Sequence, residues 1–174
     1  MRFSSLRSRV VMVPQDGFLF DESIADNVRY GRPDATDDEV AEAFDRLGLA
    51  DWLAGLSDGV RTRVGERGES LSVGERQLVA VARAYIADPD VLVLDEATSA
   101  VDPATEVRLA RAPDSLTRGR TTLTIAHRLS TAEAADEVLV VDRGVVVQRG
   151  THAELVARPG TYADLYASWR AQAQ

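Results

Sequence analysis

The stretch VLVLDEATSAVD, residues 91–102, runs four apolar residues without a polar break and ends on two adjacent carboxylates, Asp95 and Glu96. An uninterrupted apolar strand is buried on both faces, as strands are in parallel sheets sandwiched between helices. RVVMV at 9–13 and TTLTIAH at 121–127 have the same character, and helical patterns lie between these runs. The chain is therefore expected to be an α/β protein with a parallel sheet and helices on both faces. With 174 residues, 45% of them hydrophobic, it can bury one sizeable core or divide into two small subdomains.

Local signals place the other elements. Pro14 ends the first strand and delivers Gln15 to a loop. The following DGFLFDESIADNVRYGRPDAT reads as a connecting region. Thr36 and Glu39 have capping-box spacing, Val40, Phe44 and Leu47 form one stripe, and Gly48 is a stop, which predicts a helix. A second short helix is expected around Trp52 and Leu56. A Gly- and Arg-rich loop then leads to a strong helix from Ser72 to about Ala87, closed by Asp88-Pro89. Further on, a helix opens at Asp102-Pro103, another lies around 131–135, EVLVVDRGVVVQRG is a hairpin, and the tail should be helical from Thr151 through YADLYASW. Pro113, inside the helix opened at Pro103, should kink or end it at a cost of about 3 kcal/mol.

Composition excludes several functions. A net charge of −8 lacks the basic footprint that nucleic acid or anionic lipid requires. No cysteine means no disulfide and no thiolate metal site, in keeping with a reducing compartment. With His127 and His152 the only histidines, a multi-histidine metal site is ruled out by count. No window approaches the ~20 apolar residues of a membrane span, and the amino terminus lacks a signal peptide's apolar run; a soluble chain is expected.

The chemistry gathers at strand ends. In open parallel sheets ligands bind beyond the carboxyl ends of the strands. Asp95 and Glu96 stand at one such end, Gln15 at a second and His127 at a third, so carboxylates, an amide and an imidazole would share a crevice. Paired acids there suit metal-nucleotide chemistry, one holding the ion and one activating water, although a solvated turn has the same letters. Such a site also needs a phosphate cradle, usually a Gly-rich loop ending in Gly-Lys-Ser/Thr. The chain contains no lysine; all 20 basic residues are arginine. A different anion signal comes from ESLSVGERQ, where Ser72 and Glu75 form a capping-box pair and Gly74 permits close approach to the helix amino terminus. Simple helix capping explains Ser72 and Glu75, but not the glycine.

Taken together, the motifs resemble the ATP-binding domain of ABC transporters, most closely of the exporter type, along nearly the whole chain. LSVGERQ is similar to the family's signature motif, VLVLDEATSAVD to Walker B and the D-loop, VPQDGFLF to the Q-loop, and IAHRLS to the switch-histidine region. RVGERGESLS is similar to the exporter loop that faces the membrane domains. The resemblance implies a partial P-loop NTPase (RecA-like) fold, with a mainly helical subdomain at 16–88 and catalytic-core portions at 1–15 and 89–174. It implies ATP and Mg²⁺ as cofactors. Asp95 would hold Mg²⁺, Glu96 would act as general base, His127 would contact the γ-phosphate, and Gln15 would contact Mg²⁺ or water. Ser72 and Gly74 would hold the γ-phosphate of ATP bound mainly by a second such domain in a head-to-tail dimer. Asp102 would lie at that dimer interface. A transmembrane exporter domain is the other implied partner, which would put the chain in the cytoplasm at the inner face of the membrane.

Three features depart from the family pattern: Glu75 stands where glutamine is common, Pro113 is unusual, and the Walker A loop would lie before Met1. The expectation is part of a longer ATPase domain that powers export and is inactive without its phosphate loop. The alternative is a non-catalytic interaction module that lends its signature helix to a partner's ATP. Chromosome-maintenance ATPases share the signature, but nothing here resembles their long coiled-coil insertion.

Overall fold

The computed structural model describes residues 9–95, Thr105, Arg108 and 116–172, which fall into two units divided between Ile125 and Ala126. In the first unit, β1 (Val10–Val13), β2 (Val91–Asp95) and β3 (Thr121–Ile125) form a three-stranded sheet with β2 in the middle. Both pairings are parallel, with Val13 opposite Leu94 and Asp95 opposite Ile125. The α/β class with a parallel sheet thus stands. Pleating puts Val11, Val13, Leu92 and Leu94 on one face, and all four belong to the main core or pack against it. On the other face Met12, Leu123 and Ile125 are about half exposed, so among the described residues only one face is covered. The expected helix at Asp102-Pro103 and its kink at Pro113 lie outside the described residues.

The long crossover from β1 to β2 is helical: α1 (Ile24–Arg29), α2 (Asp37–Arg46), α3 (Ala50–Ala54) and α4 (Val73–Ile86). The expected capping boxes at Thr36/Glu39 and Ser72/Glu75 are both formed. The α2 stripe is buried at Val40, Phe44 and Leu47, and Gly48 ends the helix at φ +71°. The helix around Trp52 is α3, which stops at Ala54 and leaves Leu56 beyond its end.

One segment departs from expectation. The supposed connecting region contains α1, capped by Ser23 with Asp26 in its first turn and Arg29 in its last. Its stabilisation is tertiary, because six residues are too few to hold a helix alone. Ile24, Ala25 and Val28 are buried, and Asn27, also fully buried, accepts from Phe20 N at 2.9 Å and donates to the carbonyls of Phe20 and Ser23. Arg83 of α4 donates to Asn27 O at 2.8 Å. Burial lowers the Arg83 pKa from the ordinary arginine value, yet a guanidinium stays charged at physiological pH.

The second unit holds α5 (Leu129–Ala134), the hairpin β4 (Val138–Asp142) and β5 (Val145–Gly150), α6 (His152–Val156) and α7 (Thr161–Gln172). Arg143 and Gly144 turn the hairpin with φ of 46° and 79°, the pairing of positive angles that a tight hairpin favours. The Thr151/Glu154 capping box forms, but the tail is two helices rather than one. Pro159 and Gly160, the latter at φ +153°, interrupt it. His152 serves this unit's packing: its Nδ1 lies 2.8 Å from the Tyr162 hydroxyl, and Tyr162 is buried with Val140 and Leu155.

Candidate functional site

Parallel register brings β1, β2 and β3 to an end at one edge. Asp95 is the last residue of β2, and Gln15 follows Val13 by two residues at the neighbouring end of β1. These two predicted residues therefore share an edge of the first unit. His127 follows Ile125 by two residues, is exposed, and belongs to the second unit. Glu96 and Asp102 lie outside the described residues.

The remaining predicted residues stand at the amino terminus of α4. Ser72 is its N-cap, and Gly74 is buried in the first turn. The Ser72 hydroxyl accepts from Glu75 N at 3.2 Å, which leaves its own proton available to a ligand. The first amides of a helix have no intrahelical acceptor and carry its positive end. Hydroxyl, amides and helix dipole together are chemically matched to a phosphate oxygen.

Glu75 is fully engaged. One carboxylate oxygen accepts from Ser72 N at 2.8 Å, and the other accepts from the indole Nε1 of Trp52 at 3.0 Å. Trp52 is itself buried, tilted against Phe44 with ring centroids 5.7 Å apart. A glutamine has only one acceptor oxygen, so it can serve one of these donors and must turn its NH₂ toward the other. Both carboxylate oxygens of Glu75 therefore have donors, the second supplied by Trp52. Glu75→Gln should lower the stability of this chain by about 1–2 kcal/mol, the cost of one buried donor losing its partner. Thermal melting followed by Trp52 fluorescence checks this; an unchanged midpoint would refute the double acceptor role.

Sequence reading missed Trp52, Gln77 and Gly17. Gln77 of α4 is buried and donates through Nε2 to Gln15 O at 2.7 Å. Its signal in the sequence is a polar side chain on the apolar stripe with Leu78 and Val81. Gly17 has none: a Cβ there would sit 2.7 Å from the backbone carbonyl of Arg76.

The donor set fits Mg²⁺ with a nucleotide. Asp95 and Gln15 offer hard oxygens, and Mg²⁺ is usually held by one or two carboxylates together with substrate phosphates. No group of three or more His, Cys, Asp or Glu side chains placed to hold a metal occurs among the described residues. The chain's own residues supply no lysine for a phosphate cradle.

Comparison with known proteins gives consistent matches. The family described as ABC transporter matches residues 1–99. The chain is 52% identical over 158 residues to the Fatty acid ABC transporter ATP-binding/permease protein of Mycobacterium tuberculosis, covering 91% of this chain and 25% of that one. It is 47% identical over 163 residues to ATP-binding cassette sub-family B member 6 of Homo sapiens, covering 94% and 19%. The structure of a bacterial Atm1-family ABC exporter with ATP bound superposes with a TM-score of 0.84 at 43% identity, covering 95% of this chain and 29% of that chain. The chain thus spans about a quarter or less of the length of these curated relatives.

Proposed function

Since this chain belongs to the ABC transporter family, as an ATP-binding domain of the exporter type, we propose that it takes part in Mg²⁺-dependent ATP hydrolysis that drives export across a membrane. The observation that carries this reading is the parallel register that ends β1 and β2 at one edge, with Gln15 and Asp95 on it.

Bound there, Mg²⁺-ATP would supply a transferable γ-phosphoryl group with its charge partly neutralised. Asp95 would ligate the ion through its carboxylate, directly or through water. The Gln15 amide would contact the ion or orient the attacking water without adding charge. Glu96 would accept the proton of that water, and His127 would contact the γ-phosphate. Ser72 and Gly74 would donate to the γ-phosphate of a nucleotide bound mainly by a second ATP-binding domain, with Asp102 in the turn crossing that interface. These roles suit phosphoryl transfer, where positioning and charge stabilisation do most of the catalytic work.

The other partner would be a transmembrane exporter domain, placing the chain in the cytoplasm at the inner face of the membrane. No helix of the described residues is long and apolar enough to cross one. An exposed aromatic surface supports such docking: Phe18 meets Phe20 edge-on at 5.1 Å, and Phe20 stacks on Tyr30 at 4.5 Å.

The 174-residue chain by itself should hydrolyse no Mg²⁺-ATP above the buffer rate. Phosphate release measured on the purified chain checks this, and turnover abolished by Glu96→Gln would refute the need for a separate phosphate loop. One second reading, in which the chain lends its α4 amino terminus to a partner's ATP without turning over its own, is supported by the Ser72 hydroxyl and first-turn amides at that helix end. The intact mass of the natural product decides between the two: a longer polypeptide carrying a phosphate loop supports the first reading, and a product of this chain's length supports the second.

A further inference from the structure

After Val13 the chain leaves the sheet, and Pro14, Gln15 and Asp16 are exposed. A loop so placed would ordinarily leave Gln15 poorly fixed. Here three attachments hold it, and all of them run to α4. Gln77 Nε2 donates to Gln15 O at 2.7 Å. Gly17 presses on the helix backbone so closely that a Cβ would lie 2.7 Å from Arg76 C and O and 2.9 Å from Gln77 N. Arg83 donates to Phe18 O at 3.3 Å.

Only the Gln77 bond acts on Gln15 itself. A carbonyl held from a buried side chain fixes the peptide plane and the direction in which Gln15 leaves its Cα. An apolar residue of the same length would fill the space without holding that carbonyl. We infer that Gln77 is a positioning residue for Gln15, setting where the Gln15 amide stands at the carboxyl edge beside Asp95. The inference rests on the proposed role of Gln15 at that edge. It also has a mechanical consequence. Ser72 lies five residues before Gln77, about 7.5 Å along the helix, so the seat for a partner's phosphate and the Gln15 amide move with one rigid element.

Gln77→Met keeps length and bulk but removes the donor. In the 174-residue chain, backbone order parameters of Gln15 and Asp16 should fall from about 0.85 to below about 0.6, with those of α4 and β2 unchanged. Unchanged values at Gln15 would overturn the inference. In a polypeptide joining this chain to a phosphate-loop segment, Gln77→Met should lower kcat for ATP about ten- to a hundredfold at unchanged KM. It should add nothing further in a Gln15→Ala background. Independent, multiplicative losses would show a merely structural role and overturn it. If Gln15→Ala alone leaves turnover intact, the reading of Gln15 fails instead, while the order parameters still decide whether Gln77 holds the loop. If Gln77→Met does not fold, Gln77→Leu, which also removes the donor, is read by the same two measurements, and the same outcomes decide.

Discussion

Glu96→Gln, in a polypeptide that joins this chain to a phosphate-loop segment, should lower kcat for ATP hydrolysis by about 10²–10⁴-fold, the usual contribution of a general base, and leave ATP binding intact. Glutamine matches glutamate in size and keeps an acceptor oxygen, but it cannot take a proton from water. Asp95 at the end of β2 would still ligate Mg²⁺. The measurement separates the two adjacent acids: Asp95→Asn should weaken Mg²⁺-dependent binding as well as turnover, whereas Glu96→Gln should touch turnover alone. A Glu96→Gln protein that hydrolyses ATP within about tenfold of the parent would remove Glu96 from the mechanism.

The second large effect is expected from Ser72→Arg. The N-cap hydroxyl and the first amides of α4 would face a phosphate bound mainly by another domain, and arginine would fill that space and remove the hydroxyl donor. Loss of one donor to a developing phosphate charge typically costs about 10²–10³-fold in kcat. The cap itself is lost too, at about 1 kcal/mol of stability, so a folded variant is confirmed by circular dichroism before assay. Mixing decides the geometry. In a head-to-tail pair, a Ser72→Arg subunit joined to a Glu96→Gln subunit should retain one working site, because each defect falls on the same composite site. A mixed pair with no residual turnover beyond that of either variant alone would sink the shared-site reading.

Much of the frame could be read locally. The Ser72/Glu75 and Thr36/Glu39 capping boxes, the Gly48 stop and the Arg143-Gly144 turn each depend on residues within a few positions of one another. The β1 and β2 strands were legible because burial leaves an apolar run that period and length can identify. α1 was not, since its six residues carry no repeated stripe and its support comes from Asn27 bonding the Phe20 backbone and from Arg83 on α4. The tail misled for the opposite reason: the capping signal at Thr151 was correct, but Pro159-Gly160 overrode continuation of the helix.

The candidate site divides the same way. Residue chemistry and strand ends pointed to Gln15, Asp95 and His127, and the helix start pointed to Ser72 and Gly74. The structure adds the register that sets Gln15 and Asp95 on one edge, and the partner that holds Gln15. Trp52 reaches Glu75 across 23 positions, and Gln77 reaches Gln15 across 62. By itself the sequence determined which short segments become strands and capped helices and which groups they present, because dihedral preference, capping and burial pattern act over a few residues. Only the tertiary structure decided which carbonyl Gln77 holds and that Trp52 donates to Glu75, because hydrogen bonds between distant segments depend on packing that no local period encodes.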